Sequence, residues 1–423
     1  MATAAAGAGV PKRLILVAMC FAATSICYVD RVNISVAVIP MASRFGWSAT
    51  TKGAVLTSFF VGYLLAMLPT GMLTARLGGR RVLGAALAGW SLATLATPAA
   101  AFAGLPALLA VRVLMGTAEA ATFPAAIGLF ARWLPAGERS RAVALNLGGI
   151  PVGTVVGLSA AGALIAAFGW PAMFVVFGLA GLAFAGLWFV VVRDSPAEHP
   201  RVGAAEAALL AEQAAATAPA AVPWRVLFGK RACWAILVNH FASNWVLYLM
   251  LTWLPSYLHD ARHLDVAKAG LTAVLPWLSL FVTGNAAGHI GDALVARGVS
   301  LLTIRKAMQV AALVGSAAAL LLAERATGTA EAVALLCVAM GFLGLVSAGY
   351  ASNHLDIAPR HAAPLYALTN TAGTVPGIVG VYVTGALLDA TGNYAATFAL
   401  AAGVNLIGAL IWLLWARADC VVD

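Results

Sequence analysis

Long apolar stretches follow one another along nearly the whole chain, and short polar turns separate them. Each stretch is about 20 residues long with few charges, which is what a helix needs to cross the hydrocarbon core of a bilayer. The pattern predicts an all-α integral membrane protein with twelve transmembrane helices. The predicted spans are 14–38, 53–75, 81–99, 105–130, 141–165, 170–192, 232–255, 269–291, 301–322, 331–353, 363–388 and 394–416.

The amino-acid composition supports this class of protein. Of the 423 residues, 62% are apolar and only 10% are Lys, Arg, Asp or Glu, whereas a soluble domain has about 25% charged residues. A soluble protein of this length would lack a charged surface, and a disordered chain would be far less apolar. The net charge of +9 does not indicate nucleic-acid binding, because the basic residues flank apolar runs and form no continuous stripe.

The distribution of basic residues predicts the orientation of the chain. If both termini are cytoplasmic, 18 of the 25 Lys and Arg residues lie in inner segments and five lie in outer loops. Basic residues concentrate in the cytoplasmic loops of membrane proteins. We therefore expect both termini on the cytoplasmic side, which requires an even number of spans.

A polar central segment divides the chain into two halves. Residues 193–231 carry glutamates and four prolines between two apolar regions, and we expect a long cytoplasmic loop that contains a short surface helix. The predicted domains are an N-terminal six-helix bundle at 1–192, this loop, and a C-terminal six-helix bundle at 232–423.

Two motifs of the first half recur in the second. GMLTARLGGRR at 71–81 corresponds to GHIGDALVARG at 288–298, and ALNLGGIPVG at 144–153 corresponds to LTNTAGTVPG at 368–377. Two different motifs at nearly the same separation indicate a duplication, so the two bundles are predicted to be pseudo-symmetric. Internal repeats are typical of secondary transporters, whose substrate sites lie between the repeats near the middle of the membrane.

Four ionisable residues lie deep inside predicted spans: Asp30 and Arg31 in the first span, Arg112 and Glu119 in the fourth. Because a charge at the bilayer centre costs about 3 kcal/mol, such residues usually serve function. The alternative is a buried ion pair that only positions helices. Arg112 and Glu119 are seven residues apart, which puts them within about 20° of one helix face, whereas the neighbours Asp30 and Arg31 diverge by about 100°.

The residue types indicate the chemistry. Arginine offers a planar fork of donors that matches a carboxylate or a phosphate, so Arg31 and Arg112 predict an anionic substrate. A carboxyl group buried against an apolar wall takes up a proton more readily than one in water. Asp30 and Glu119 are therefore the candidates for proton coupling.

Other polar side chains in the spans are weaker candidates. Tyr63, Asn244, Tyr248 and Asn370 could each bind a hydroxylated or carboxylated substrate, or could equally hydrogen-bond one helix to another. Asn244 and Tyr248 are four residues apart and share a helix face. The position of His240 near the start of the seventh span also fits a place at the membrane interface.

The repeated motif at 71–81 resembles the short-loop signature of the major facilitator superfamily, Gly-x-Leu-x-Asp-Arg-x-Gly-Arg-Arg. Ala75 stands where that signature has its acid, and the second copy keeps an acid at Asp292. Charges at helix ends can latch the cytoplasmic side of a carrier, although a simple positive-inside loop would look similar. The candidate gating residues are Arg76, Arg80, Asp292 and Arg297.

Several motifs of other function classes are absent from the sequence. It contains no GxxxxGK[ST] phosphate loop, no GxSxG, HExxH or CxxCH motif, and its five cysteines form no CxxC pair. We therefore expect no cofactor, no metal site and no ATP-driven transport. An intramembrane enzyme is also disfavoured, because no predicted span holds a cluster of His, Asp and Glu.

Longer runs resemble the anion:cation symporter family of the major facilitator superfamily over nearly the whole chain. The matching runs are YVDRVNISVAVIPM (28–41), TSFFVGYLL (57–65), RVLMGTAEAATFPA (112–125), ERSRAVAL (138–145), NHFASNWVLYLMLTWLPSY (239–257), RGVSLLTIRKAMQ (297–309), NHLDIAP (353–359) and NTAGTVPGIVG (370–380). This family includes vesicular glutamate carriers, plastid phosphate and anion carriers, and bacterial sugar-acid symporters.

The resemblance implies a monomeric twelve-helix carrier that works by alternating access. It implies that Arg112 binds the anion, that Arg31 lines the site and that Glu119 couples protons. Asp30 matches the bacterial proton symporters. Ser243 stands where the vesicular glutamate carriers have an arginine, which disfavours that function.

We therefore expect proton-coupled symport of an organic anion, such as a sugar acid. The alternatives are an inorganic phosphate carrier, which could be coupled to sodium, and a sensor that binds the anion without transporting it. Only 13 residues precede the first span, which is short for a plastid transit peptide. We therefore expect the bacterial inner membrane as the location.

Overall fold

The computed structural model describes residues 11–200, 202–203 and 224–422, without the side chains of Ala136, Ser140 and Ala363. In these ranges the regular structure is entirely helical. Two short 3₁₀ turns occur at Pro196–Glu198 and Leu345–Ser347. The α-helices are α1 (Lys12–Phe45), α2 (Ala49–Leu77), α3 (Gly79–Ala103), α4 (Leu105–Glu119), α5 (Thr122–Trp133), α6 (Ala136–Phe168), α7 (Trp170–Val191), α8 (Trp224–Gly229), α9 (Arg231–Asp260), α10 (Val266–Thr272), α11 (Val274–Ala296), α12 (Leu301–Arg325), α13 (Thr329–Gly344), α14 (Tyr350–Ile357), α15 (Ala362–Thr391) and α16 (Ala395–Trp415).

Twelve helical segments of the described chain are long and apolar enough to cross a membrane, which confirms the predicted number of spans. Nine of them consist of one α-helix each. The other three combine two or more short helices, at Leu105–Trp133, Val266–Ala296 and Thr329–Ile357. Most helices extend several residues beyond the predicted spans, because a helix tolerates polar residues once it leaves the hydrocarbon core.

The break between α4 and α5 lies directly after Glu119. Ala120 and Ala121 separate the two helices, and the Thr122 hydroxyl donates to the Glu119 carbonyl oxygen at 2.8 Å. Pro124 follows in the first turn of α5, where a missing N–H costs little. The interruption leaves Glu119 as the last residue of its helix.

The chain divides into two compact units. Unit 1 comprises Met1–Asn33, Val61–Gly157 and Pro171–Pro219, and unit 2 comprises Ile34–Phe60, Leu158–Trp170 and Ala220–Asp423. The division at 1–192, 193–231 and 232–423 stays a prediction. A short helix was expected within 193–231, and α8 (Trp224–Gly229) lies in this segment, while residues 201 and 204–223 lie outside the described residues.

Within unit 1, α3 packs against α4 and α5, and small residues bring other helices close together. Gly153 of α6 lies so near the Ser25 carbonyl of α1 that a β-carbon would overlap it. Such close approach is the usual role of glycine between membrane helices, where no hydrophobic force drives association.

Within unit 2, α9 packs mainly against α15 and α16, while α12 packs against α13 and α16. The first turn of α2 also belongs to this unit. Its Ala49 and Thr50 N–H groups donate to the Asp389 carboxylate of α15, at 2.9 and 2.8 Å. At the start of α10, Asp265 accepts the Lys268 N–H at 2.8 Å, and this hydrogen bond lowers the pKa of the Asp265 carboxyl.

Candidate anion-binding site

A buried ion pair joins the first span to the fourth inside unit 1. Arg31 donates from Nε and Nη2 to Glu119 Oε2, at 3.0 and 2.9 Å. Arg31 is 6% exposed and Glu119 is fully buried. The first-span arginine therefore pairs with the fourth-span acid and not with its neighbour Asp30.

Two tyrosines cover the Arg31 guanidinium. Its central carbon lies 4.5 Å from the ring centre of Tyr28 and 4.9 Å from that of Tyr63. Nη1 also donates to the Tyr28 hydroxyl at 3.3 Å. Aromatic faces attract a cation most strongly when water is excluded, so these rings hold the guanidinium in one plane. Sequence reasoning proposed Tyr63 but missed Tyr28, three residues before Arg31.

The two oxygens of Glu119 have different surroundings. Oε2 accepts both Arg31 donors and the Cys27 thiol, whose sulfur lies 3.1 Å away. Oε1 is buried and has no hydrogen-bond partner among the described residues. A buried acceptor without a donor is costly, so Oε1 is the natural atom to receive a proton. Cys27 was not predicted as part of the site.

Asp30 points away from Arg31, as expected for adjacent residues on a helix. It is fully buried and faces Trp90 and Thr94 of α3, but neither of its oxygens is in hydrogen-bonding geometry with a described residue. Its carboxyl also lies within electrostatic range of Glu119 and Arg112. Asp30 is therefore a second buried acid in unit 1, separate from the Arg31–Glu119 ion pair.

Arg112 completes the cluster. It is 1% exposed, donates from Nη1 to Met115 Sδ at 3.0 Å, and lies within electrostatic range of Glu119, Asp30 and Arg31. Two arginines and two acids are thus enclosed together, and their formal charges cancel.

The candidates from the seventh and eleventh spans lie in unit 2. Asn244 Nδ2 donates to the Gly373 carbonyl at 2.8 Å, so it links α9 to α15. The Tyr248 ring centre lies 4.6 Å from that of Phe60. Asn370 is half-buried, and its side chain has no hydrogen bond to a described residue. Asn244 therefore has a structural partner, while Asn370 keeps its amide available.

His240 is buried inside the protein, at 4% exposure, and its place at the membrane interface stays a prediction. Gly373 lies opposite, where a β-carbon would come within 2.5 Å of the imidazole, and the missing side chain makes room for the ring. A second buried imidazole, His354, lies nearby on α14 and shares Thr369 with it. Sequence reasoning missed His354, although a histidine inside a span is itself a signal.

Of the predicted gating residues, three have no partner in the part of the chain that the structure describes. Arg76, Asp292 and Arg297 are exposed, and their side chains form no hydrogen bond or ion pair there. Arg80 is engaged: its backbone N–H donates to Asp194 Oδ1 at 2.8 Å. Its Nη2 donates to the Phe189 carbonyl, also at 2.8 Å.

Asp194 supplies an acid to the short loop whose motif has Ala75 in the acidic position. It was not predicted. Gly78 precedes α3 with φ +88°, a conformation that favours glycine, and the Asp194 carboxylate lies against it. The carboxylate therefore caps the N-terminus of α3 from the end of α7, where the helix dipole favours a negative charge.

We expect Asp194→Asn to destabilise unit 1 without removing any membrane-embedded charge. Losing a charged cap at a helix N-terminus costs about 1 kcal/mol, so the melting temperature of the purified protein in detergent should fall by a few degrees. Asp292→Asn, which removes an exposed acid from the equivalent motif of the second half, is the matched control. Equal melting temperatures for both variants would refute the capping role.

In the second half, a partly buried ion pair links α12 to α14, and neither of its residues was predicted as part of a site. Arg305 of α12 donates to both carboxylate oxygens of Asp356 in α14, at 2.7 and 3.2 Å. It also donates to the Ala348 carbonyl at 2.9 Å. Asp356 belongs to the run NHLDIAP, whose acid sequence reasoning did not single out.

Comparison with known proteins places the chain in a family. The family model of the Major Facilitator Superfamily matches residues 20–381 of the sequence. Sodium-dependent phosphate transport protein 1, chloroplastic, of Arabidopsis thaliana is 38% identical over 414 residues, covering 98% of this chain and 81% of the relative. The chloroplastic ascorbate transporter of the same plant is 38% identical over 416 residues, covering 98% of this chain and 76% of the relative.

Solved structures show the same fold. A bacterial homologue of the human lysosomal transporter Spinster, inward-facing and occupied, superimposes with a TM-score of 0.76 at 18% identity, covering 97% of this chain and 98% of that one. A D-xylose–proton symporter gives 0.75 at 13% identity, covering 96% and 98%. The chain is therefore a multi-pass membrane transporter and not an enzyme, and it belongs to the anion:cation symporter family of the Major Facilitator Superfamily.

Proposed function

We propose that this transporter carries an organic anion, a sugar acid or a related carboxylate, together with protons. The charge balance of the buried cluster carries this proposal. Asp30, Arg31, Arg112 and Glu119 enclose two positive and two negative formal charges in one unit. A monovalent anion that enters alone would leave one uncompensated negative charge, whereas an anion with one proton would restore the balance.

Arg31 is the proposed anchor of the substrate carboxylate. Its Nε and Nη2 donors, now bound to Glu119 Oε2, face one way as a fork. An incoming carboxylate can take both donors, which displaces Glu119. Charge-assisted bonds of this type are about twice as strong as neutral ones, so the exchange replaces one strong pair by another at little net cost.

The displaced Glu119 then binds the proton. After the exchange, the Cys27 thiol is the one donor that remains within reach of its carboxylate among the described partners. A weak thiol donor cannot stabilise a buried negative charge, so Glu119 takes up a proton as it leaves Arg31. When the anion leaves, Arg31 binds the Glu119 carboxylate again, and Glu119 releases its proton. Anion and proton movement are thereby linked at one guanidinium.

The remaining candidates have secondary roles in this proposal. Arg112 supplies a second positive charge, Asp30 a second acid and Tyr63 a face against Arg31. Asn370 and Tyr248 would contact the hydroxyl groups of a sugar acid, and Asn244 would contribute through its amide when its bond to Gly373 opens. Arg76, Arg80, Asp292 and Arg297 are the proposed gating residues, which would act at helix ends in another conformation of the transport cycle.

Uptake into proteoliposomes tests the proposal. Purified protein would be reconstituted, and an inward proton gradient imposed with labelled gluconate, ascorbate, glutamate or phosphate, each with and without sodium. We expect a protonophore-sensitive accumulation of a carboxylate that does not require sodium. Accumulation of phosphate that requires sodium and ignores the proton gradient would replace this proposal by its alternative.

That alternative, a phosphate carrier coupled to sodium, is favoured by one observation. A relative of 38% identity is named a sodium-dependent phosphate transport protein, and a guanidinium fork binds phosphate as well as carboxylate. The relatives' names also give a chloroplast location, which weighs against the bacterial inner membrane. Imaging a C-terminal fluorescent fusion would decide the membrane, and protease access to the fusion would test whether that terminus is cytoplasmic.

A further inference from the structure

Two buried histidines of unit 2 share one hydroxyl group. His240 of α9 places Nδ1 3.3 Å from Thr369 Oγ1, and His354 of α14 places Nε2 2.8 Å from the same oxygen. The three side chains are between 0% and 4% exposed. They connect three helices, and they play no part in the charge cluster of unit 1.

The positions of the hydrogen atoms in this His–Thr–His network follow from the outer partner of His354. His354 Nδ1 lies 3.0 Å from the Ala351 carbonyl oxygen. Because a carbonyl only accepts, Nδ1 must carry a hydrogen. The Thr369 hydroxyl has a single hydrogen and two acceptors within reach, His354 Nε2 and the Tyr366 carbonyl oxygen at 3.1 Å. The hydroxyl can therefore take either of two orientations.

Each orientation satisfies one protonation state of His354. When His354 is neutral, the Thr369 hydroxyl donates to Nε2. When His354 is an imidazolium, Nε2 donates to the Thr369 oxygen, and the hydroxyl turns to the Tyr366 carbonyl. His240 can donate from Nδ1 to the same oxygen in both states, since a hydroxyl oxygen has two lone pairs. Neither state leaves these buried groups without a hydrogen-bond partner, so the cost that remains for the charged state is the desolvation of the imidazolium.

We propose that His354 is a proton-binding site of the second half, and that rotation of the Thr369 hydroxyl accommodates its proton. This inference deepens the proposed function and rests on it for the proton's role in transport. It adds one proton to the one assigned to Glu119. His240 is a positioning residue that holds the Thr369 oxygen.

The groups around the pair are mostly neutral. The His240 ring centre lies 5.1 Å from that of Tyr350 and 5.9 Å from that of Tyr366, and His354 lies 5.5 Å from Tyr366. Tyr248 is the further titratable neighbour on α9. On the side of α12, Arg305 pairs with Asp356, and neither of these two charged side chains hydrogen-bonds to His240 or His354.

Neither imidazole hydrogen-bonds to a carboxylate among the described residues. An imidazolium here would have no direct counter-ion. Burial without a counter-ion disfavours the charged ring, so a proton bound here is held by hydrogen bonds alone and is released readily.

The ratio of protons to anions in proteoliposomes is the first test. We expect His354→Gln, which keeps a hydrogen-bonding side chain, to lower this ratio by one proton while anion counterflow stays within about twofold of the wild type. At a pH difference of one unit, each lost proton lowers the accumulation about tenfold. Thr369→Val, which keeps both imidazoles, should have the same effect, and Thr369→Ser should not. His289→Gln, at an exposed histidine, is the matched control.

The second test observes the proton directly and does not depend on transport. In nanodiscs with ¹⁵N-labelled histidine, acidification from about pH 8 to about pH 4 should convert one buried imidazole to imidazolium. His354→Gln should remove that signal. A His354 ring that stays neutral throughout this range, or an unchanged proton ratio in His354→Gln, would overturn the inference. Imidazolium formation in a protein without proton-driven uptake would instead refute the proposed function and leave the proton site in place.

Discussion

Arg31→Lys is expected to abolish anion uptake, even though it preserves the positive charge. The arginine uses Nε and Nη2 together on one carboxylate oxygen and lies against the rings of Tyr28 and Tyr63. A lysine ammonium is a point charge without the planar fork, so it cannot reproduce either contact. Losing one charge-assisted hydrogen bond costs about 3 kcal/mol, or about 100-fold in uptake at low substrate concentration.

Initial rates of counterflow in proteoliposomes measure this effect without a proton gradient. Arg132→Lys, a substitution of the same type at an exposed position of the same half, should transport normally. Size-exclusion chromatography of both variants checks that they fold. Counterflow by Arg31→Lys within twofold of the wild type would show that the guanidinium does not bind the anion.

Glu119→Gln should uncouple the anion from the proton gradient. The amide has nearly the shape of the carboxylate and can still accept from Arg31, but it cannot bind and release a proton. Counterflow of anion should therefore persist. At a pH difference of one unit, the proton bound at Glu119 contributes about tenfold to the accumulation, and this contribution should disappear.

Glu138→Gln is the matched control for that substitution. Glu138 also pairs with an arginine, Arg13, at 2.9 Å, but it is 40% exposed at the side chain. A surface pair contributes little, so transport should be unchanged. Full retention of proton-driven accumulation in Glu119→Gln would exclude Glu119 as the coupling acid and would leave Asp30 as the remaining acid of the cluster.

The fold could be predicted almost completely from the sequence, because a run of about 20 apolar residues matches the thickness of a bilayer and is rare in soluble domains. The apolar runs could not predict where a helix is interrupted within a span. The interruption after Glu119 occurs in TAEAATFP, where alanines favour a continuous helix and the proline lies in the first turn of the next one. Packing, and not local propensity, decides such a break.

The site could be predicted only in part. Charges at membrane depth identified Asp30, Arg31, Arg112 and Glu119, because each is too costly to keep without a partner or a role. Their pairing could not be read, since Arg31 and Glu119 are 88 residues apart and a helix face does not specify its neighbour. Tyr28 and Cys27 belong to the site through contacts to those charges, and an isolated tyrosine or cysteine gives no such signal.

The loop and histidine contacts were missed for a different reason. Asp194 is 114 residues from Arg80, whose backbone N–H it accepts. The acid that contacts this loop therefore lies outside the motif. His354 lies in a run that served only for recognising the family. Its burial beside Thr369 depends on the packing of α14 against α15, which no periodicity encodes.

The cancelling charges of the unit 1 cluster have a consequence for the response to membrane voltage. A cycle that moves one monovalent anion with the one proton of Glu119 transfers no net charge, so an electric field does no work on it. If His354 adds its proton, each cycle moves one positive charge, and 100 mV then contributes about 2.3 kcal/mol. Uptake would therefore be measured at a membrane potential set by a potassium gradient and valinomycin. The dependence of uptake on this potential gives the net charge moved per cycle, and hence the number of protons, and it shows whether voltage alone can drive the carrier.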